Sequence, residues 1–396
     1  MIDGVVIIGA SVAGVGLADE LRALGYSKSI TLLDAQDQLP YDRPPLSKGA
    51  LTGESSMEDI TFHPADHYVD ADIDLRLGTR AVRLDARQRT VVLETGEEIR
   101  AEAVVVATGA RARRWPQTRT ACHVVREFQD ALDLRDALDT ARRVAVVGGG
   151  FIGAEVASSA TTLGLEVVVV EAAPRPFENR VGAEVAELLL DLHNNAGVKV
   201  IAGVAVEEID GGVLRLADGH SRIDADVVVV GLGAVPVDEW LDDSGLTVAG
   251  GVVCDDRGRT GHPGVYAAGD VAAWPDPHTG KVRRHEHWTS AREQARIVAS
   301  DIAGAEDGPK WSDAVDYVWS DQYGGRIQLL GSPHLSDDVR ILDHDPSTGR
   351  FLALYGARGR LVGAVGCQAA VKVLRQRKGI SQAISLDEAV AAAQPK

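Results

Sequence analysis

The chain has 396 residues, a formal charge of −17, 45% apolar residues and 25% charged residues. That length allows two or three domains, and the composition is that of an ordinary globular protein. The acidic balance argues against a nucleic-acid partner, which needs a basic face, and no apolar run approaches the ~18 residues of a membrane span.

The first predicted element is the strand GVVIIGA, too short and without the basic flank of a signal peptide. Gly9 ends it, a helix is expected over about 12–24, and SITLLDA (29–35) follows as a strand ending near Asp34. The loop QLPYDRPPLSKG comes next, and its prolines Pro40, Pro44 and Pro45 predict an extended path. AVRLDARQRTVVLETGEEIR alternates and turns at Thr95-Gly96, as a hairpin does, and AEAVVVATGA closes the module near Gly109.

The same order then repeats. RRVAVVGG reads as a strand, FIGAEVASSATTLG as a helix, and LEVVVVEAA as a strand ending at Glu171. A helix in AEVAELLLDLHNNAG and short strands with a turn at Asp218-Gly219 lead to the closing strand ADVVVVGLGA. The two modules share closing motifs, ATGA at 107–110 and GLGAVP at 231–236. A third segment holds GVYAAGDVAAW (264–274) and the helix-like SAREQARIVASDIAG (290–304). From about residue 308 tryptophans and short alternating runs predict a small antiparallel sheet with a terminal helix.

Each module carries a glycine turn between strand and helix. VAVVGGGFIGAE (144–155) is a full G-x-G-x-x-G of Gly148, Gly150 and Gly153. VVIIGASVAG (5–14) is an imperfect copy, with Gly9 and Gly14 but Ser11 at the second position. In such a turn the first glycine bends the chain, the second lets backbone approach a pyrophosphate, and the third packs helix on strand. The helix N-terminus offers free N–H groups and partial positive charge to the phosphates. An acid about 20 residues on binds a ribose hydroxyl. Either copy alone is weak; two, each with its acid, predict two dinucleotide sites. Glu171 at the second site favours NADH over NADPH, because a carboxylate repels a 2′-phosphate. Arg175 dissents, since a nearby arginine can host that phosphate.

PYDRPPLSKG, ATGARARRWP, VVGGGFIGAE, VYAAGDVA, EHWTSAREQA and WSDQYGGRIQ, in this order along nearly the whole chain, closely resemble the FAD-dependent, NADH-linked ferredoxin reductases of bacterial cytochrome P450 and Rieske oxygenase systems. The resemblance implies an α/β fold of two Rossmann-like dinucleotide-binding domains plus a small α+β C-terminal domain. Residues 1–107 and 235–307 would bind FAD, 108–234 would bind NAD, and 308–396 would form the C-terminal domain. It implies that NADH gives a hydride to FAD, which passes single electrons to a [2Fe–2S] ferredoxin. By position, Gly9, Ser11, Ala13, Gly14, Asp34, Arg43, Lys48, Ala81, Thr108, Gly109, Arg126, Asp270 and Trp288 would hold FAD. Asp34 carries a reservation, because many relatives place the ribose acid at the position of Ala35. Gly148, Gly150, Ile152, Gly153, Glu171, Gly231 and Gly233 would hold NAD. Lys48 and Glu155 would act in catalysis, Lys48 beside the flavin ring and Glu155 paired with it and facing the nicotinamide. Arg292, Arg296 and Trp319 would meet the ferredoxin.

Blander readings stand beside these. Lys48 and Glu155 can be surface charges, Arg126 a solvated helix charge, Asp270 a helix cap, Trp288 and Trp319 core filler, and Arg292 with Arg296 a solvated stripe. Basic clusters at 111–114, 281–284 and 375–378 are docking patches or plain surface. His285 and His287 are two residues apart and do not share a helical face, so no metal is expected. Cys122, Cys254 and Cys367 form no CxxC and fit a reducing, cytoplasmic setting. No cysteine precedes Cys122, which argues against a disulfide or peroxide reductase. A reductase of rubredoxin or another one-electron carrier remains an alternative, as does an NADH-sensing interaction protein.

Overall fold

The computed structural model describes residues 2–116, 122–277, 279–305 and 307–394. The chain divides into two compact units: 1–42, 60–111 and 235–314 in the first, and 43–59, 112–234 and 315–396 in the second.

The first unit is built on a seven-stranded sheet. Ile73–Arg76, Ser29–Leu33, Ile2–Ile8 and Glu98–Val106 run parallel in that spatial order, and Val265–Ala267 pairs parallel with Glu98–Val106. Thr90–Leu93 and Ala81–Asp85 extend it antiparallel. Val5–Ile7 and Val104–Val106 are completely buried. Continuous β-branched runs of this kind suit parallel strands covered on both faces. Helix Val12–Ala23 packs against helix Trp288–Ile302.

The second unit repeats the strand–helix–strand order in a parallel sheet of Lys199–Ala202, Glu166–Glu171, Arg143–Val147 and Val227–Val230. Helix Phe151–Thr162 follows the glycine turn. Segment Glu178–Asn195 is two helical pieces joined at Gly182, whose φ of 76° is left-handed. The C-terminal part is a five-stranded antiparallel sheet, Tyr317–Gln322, Gly325–Gly331, Arg360–Cys367, Arg350–Ala357 and Asp338–Asp345, with three short helices after it. Ile327, Leu329, Phe351 and Tyr355 from this sheet bury against Phe177, Val181, Val185 and Leu189. The expected fold class, two Rossmann-like modules plus a small α+β part, is borne out.

The proline loop differs from expectation. Pro44–Ser47 is a 3₁₀ turn that runs into the short helix Gly49–Thr52. Proline at the first helical positions loses no hydrogen bond, because those N–H groups have no partner within the helix. The prolines therefore start a helical turn here.

Candidate functional site

The two glycine turns are built alike. Gly9 has a φ of 106° and Gly148 one of 99°, both left-handed. A Cβ on Gly9 would lie 2.3 Å from the Ala107 carbonyl, and one on Gly148 would lie 2.5 Å from that of Gly231. The third glycines are tighter: a Cβ on Gly14 would meet the Gly9 oxygen at 1.9 Å, and one on Gly153 the Gly148 oxygen at 2.0 Å. Only glycine fits these four positions. The second position is different. Ser11 (φ −103°) and Gly150 (φ −76°) are ordinary backbone, and a Cβ on Gly150 would meet nothing within 4 Å. Ser11 is therefore a permitted residue, and its turn is complete.

Each turn is braced by its strand-end acid. Asp34 accepts N–H bonds from Ala10 (2.7 Å) and Gln36 (2.8 Å). Glu171 accepts from Gly149 (2.7 Å) and Ala173 (2.8 Å). The matching bonds make Asp34 the counterpart of Glu171. Neither following helix has an acid in its first turn, which leaves each N-terminus suited to an anion. These open, acid-braced turns fit two dinucleotides. Arg175, the residue that speaks for NADPH, is engaged by Glu187 (2.5 Å) and Glu178 (3.3 Å).

In the first unit, the turn Gly269–Val271 carries Asp270. A Cβ on Gly269 would lie 3.1 Å from that of Ala13, so this turn sits close to the first-turn helix. The Gly269 N–H is held by fully buried Gln294 at 2.8 Å. Trp288 begins its helix and donates its indole N–H to Asp42 at 2.7 Å. Thr108 donates to the Val237 carbonyl at 2.7 Å, Gly109 accepts from Val237 at 3.0 Å, and Ala81 opens its strand. Arg292 lies over the Trp288 ring at 5.3 Å, and Arg296 pairs with Glu293 at 2.7 Å; both are exposed.

In the second unit, Glu155 is 4% exposed on the helix that the NAD-type turn opens. Its carboxylate accepts from Lys48 Nζ at 2.7 Å, Ser47 Oγ at 2.5 Å and Ser320 Oγ at 2.6 Å. Gln322 in turn donates to Ser320 at 2.9 Å, and Ser159, one helical turn past Glu155, donates to the Ser47 carbonyl at 2.7 Å. Buried charge is tolerated only when paired and hydrogen-bonded, and each of these donors serves that end. The surface-charge reading of Glu155 therefore fails. Ser47, Ser320 and Gln322 lie inside the PPLSK and WSDQ motifs, yet nothing local marks them as partners of Glu155.

Arg43 donates to the Arg126 carbonyl at 2.7 Å. Arg126 stands just before helix Phe128–Leu138, whose Glu127 and Asp130 form a capping box. Ile152 is 41% exposed in the first turn of its helix, and Gly231 and Gly233 follow the strand Val227–Val230. Trp319 lies half-buried near Tyr317. His285 is buried against Trp311, and Glu286, between it and His287, pairs with Arg284. Burial pushes all three thiols up, Cys367 to about 11. None is poised as a thiolate.

Residues 3–295 match the model for pyridine nucleotide-disulphide oxidoreductases, and residues 317–396 match that for the reductase C-terminal domain. The chain belongs to the pyridine nucleotide-disulphide oxidoreductase family. Within the family it is 34% identical over 394 residues to the p-cumate 2,3-dioxygenase system ferredoxin–NAD(+) reductase component of Pseudomonas putida, covering 98% of this chain and 95% of that one. It is 37% identical over 336 residues to rubredoxin-NAD(+) reductase of Pseudomonas putida, covering 83% and 86%. Among solved structures, the ferredoxin reductase for the CYP199A2 system from Rhodopseudomonas palustris matches with a TM-score of 0.92 and 32% identity, covering 99% and 100%. The resemblance read from the motifs thus holds along the whole chain of this oxidoreductase. Among the described residues, no helix is long and apolar enough to cross a membrane.

Proposed function

We propose that this chain is the NADH-dependent, FAD-containing reductase of a [2Fe–2S] ferredoxin that serves a cytochrome P450 or Rieske oxygenase. The observation that carries the reading is two braced dinucleotide turns in a chain whose three free thiols are all pushed up by burial, so none is poised for a thiol relay. Bound FAD supplies the hydride acceptor and the one-electron donor. The chain's own residues do the rest. Residues 1–107 and 235–307 form the FAD-binding domain, with Gly9, Ser11, Gly14, Asp34 and Asp270 holding the cofactor. Residues 108–234 form the NAD-binding domain, with 308–396 as the C-terminal domain. Gly148, Gly150, Gly153 and Glu171 bind NADH, and Arg175 is already paired with Glu178 and Glu187. Glu155, locked by Ser47 and Ser320, fixes the Lys48 ammonium and orients the nicotinamide. The three free thiols suit the reducing cytoplasm, where we place the protein.

Arg292 and Arg296 would steer an acidic ferredoxin, with Trp319 contributing to partner contact. Arg296→Glu is expected to raise the ferredoxin KM several-fold and leave NADH–ferricyanide turnover unchanged; equal ferredoxin kinetics would remove this residue from the interface. Likeness to a rubredoxin reductase supports a second reading, in which the carrier is rubredoxin. NADH-driven reduction of each carrier, followed optically under anaerobic conditions, separates the two. The proposal expects kcat/KM for a [2Fe–2S] ferredoxin at least tenfold above that for rubredoxin, and the reverse ratio overturns it.

A further inference from the structure

A second cluster of chemistry-bearing side chains lies in the first unit, outside every residue assigned above. Asp19 sits on helix Val12–Ala23, while His63 and His67 flank Pro64 at the start of helix Ala65–Asp70. His63 Nε2 lies 2.9 Å from one Asp19 carboxylate oxygen, and His67 Nε2 lies 3.0 Å from the other. The two imidazoles stack with centroids 3.7 Å apart. One nitrogen from each ring and a carboxylate oxygen all fall within 4.8 Å of one another. The three side chains are about one-third exposed, at 31%, 34% and 34%, so an ion can reach them from solvent.

A neighbouring group points the same way. Tyr68 is 2% exposed, yet its hydroxyl has no hydrogen-bond partner among the described residues. Its ring meets both imidazoles edge-on, His67 at 5.4 Å and His63 at 6.0 Å. A buried hydroxyl without a partner is costly, and a water held on an adjacent ion would satisfy it.

We propose that Asp19, His63 and His67 form a binding site for a divalent transition-metal ion of the Zn²⁺ type. Two imidazoles and one carboxylate are a zinc-like donor set, whereas Mg²⁺ and Ca²⁺ take oxygen ligands. Three protein ligands leave a fourth position for water. A bound ion would take the Nε2 lone pair of each ring, with the ring N–H on Nδ1. The ion would tie helix Val12–Ala23, whose first turn is the FAD-type turn, to the segment 61–67. That makes its role structural and independent of the electron carrier.

The test uses the FAD-loaded full chain, stripped with a chelator and titrated with ZnCl₂ against a chromophoric chelator. The proposal expects one Zn²⁺ per chain at micromolar affinity or tighter, and a higher melting midpoint with zinc that EDTA reverses. His67→Ala and Asp19→Asn should each weaken binding at least tenfold and abolish the shift, with flavin absorbance and NADH–ferricyanide turnover unchanged. If either variant fails to fold, His63→Gln serves in its place. No saturable binding, or equal affinity in the variants, overturns the proposal.

Discussion

The first glycine turn and the second solve one geometric problem with different residues at one position. Gly9, Gly14, Gly148 and Gly153 face carbonyl oxygens that leave no room for a Cβ, whereas a Cβ on Gly150 at the second position would meet nothing within 4 Å, and the first turn carries Ser11 there. The motif therefore contains two kinds of glycine. Two are required by the fold of the turn itself. The middle one is required only by what binds outside it, and a serine there leaves the turn intact.

That distinction can be broken most sharply at the third glycine. Gly153→Ala places a Cβ against the Gly148 oxygen, and overpacking of this kind costs about 1–3 kcal/mol. The variant should keep its flavin, lose stability in urea denaturation, and raise the NADH KM at least tenfold. Flavin loss with normal NADH affinity would show that the two turns serve the opposite cofactors.

Glu155→Gln leaves the turns intact and weakens the hold on Lys48. Loss of a positioned charge of this kind slows turnover by about 10²-fold. Stopped-flow reduction by NADH should slow by that order, while dithionite still bleaches the flavin. Ser320→Ala removes one bond to the carboxylate, and bonds to charged groups are worth about 1.5–3 kcal/mol. It should slow the same step by roughly tenfold, and a variant as fast as wild type would place Ser320 outside the positioning of Glu155.

Glu171→Arg is expected to weaken NADH and improve NADPH, read as the ratio of kcat/KM values. An unchanged ratio would mean that this carboxylate serves only to brace Gly149. The smallest effect belongs to Gly150→Ser, which copies the first turn into the second. Its unfolding free energy should match wild type within about 0.5 kcal/mol, with any cost confined to the NADH KM. A large loss of stability would contradict the division between the two kinds of glycine.

The parts of this protein that were legible beforehand are those written in short spacings. Both strand–turn–helix–strand modules, their acids and the hairpin turns follow from residues within about 30 positions of one another, and the structure contains them all. The partners of Glu155 could not be read this way: Ser47 lies 108 positions before it and Ser320 165 positions after it. Such pairs are set by tertiary packing, which no local pattern records. The path of the proline loop was misjudged for a local reason, because proline both blocks helix interiors and suits helix starts. Helix Phe128–Leu138 is capped by Glu127 and Asp130 and buries only Ala131, Leu134 and Leu138, a pattern too sparse to announce it. The Asp19–His63–His67 group escaped notice because its aspartate is more than 40 positions away from either histidine.

The central claim is that electrons enter from NADH, rest on FAD and leave singly to a ferredoxin. The most direct measurement is the anaerobic visible spectrum of the purified protein with NADH, followed by addition of a [2Fe–2S] ferredoxin and cytochrome c. The account predicts a yellow protein that bleaches with NADH and reduces cytochrome c only when ferredoxin is present. A protein that takes up no FAD, or that bleaches and yet transfers nothing to the ferredoxin, would contradict it.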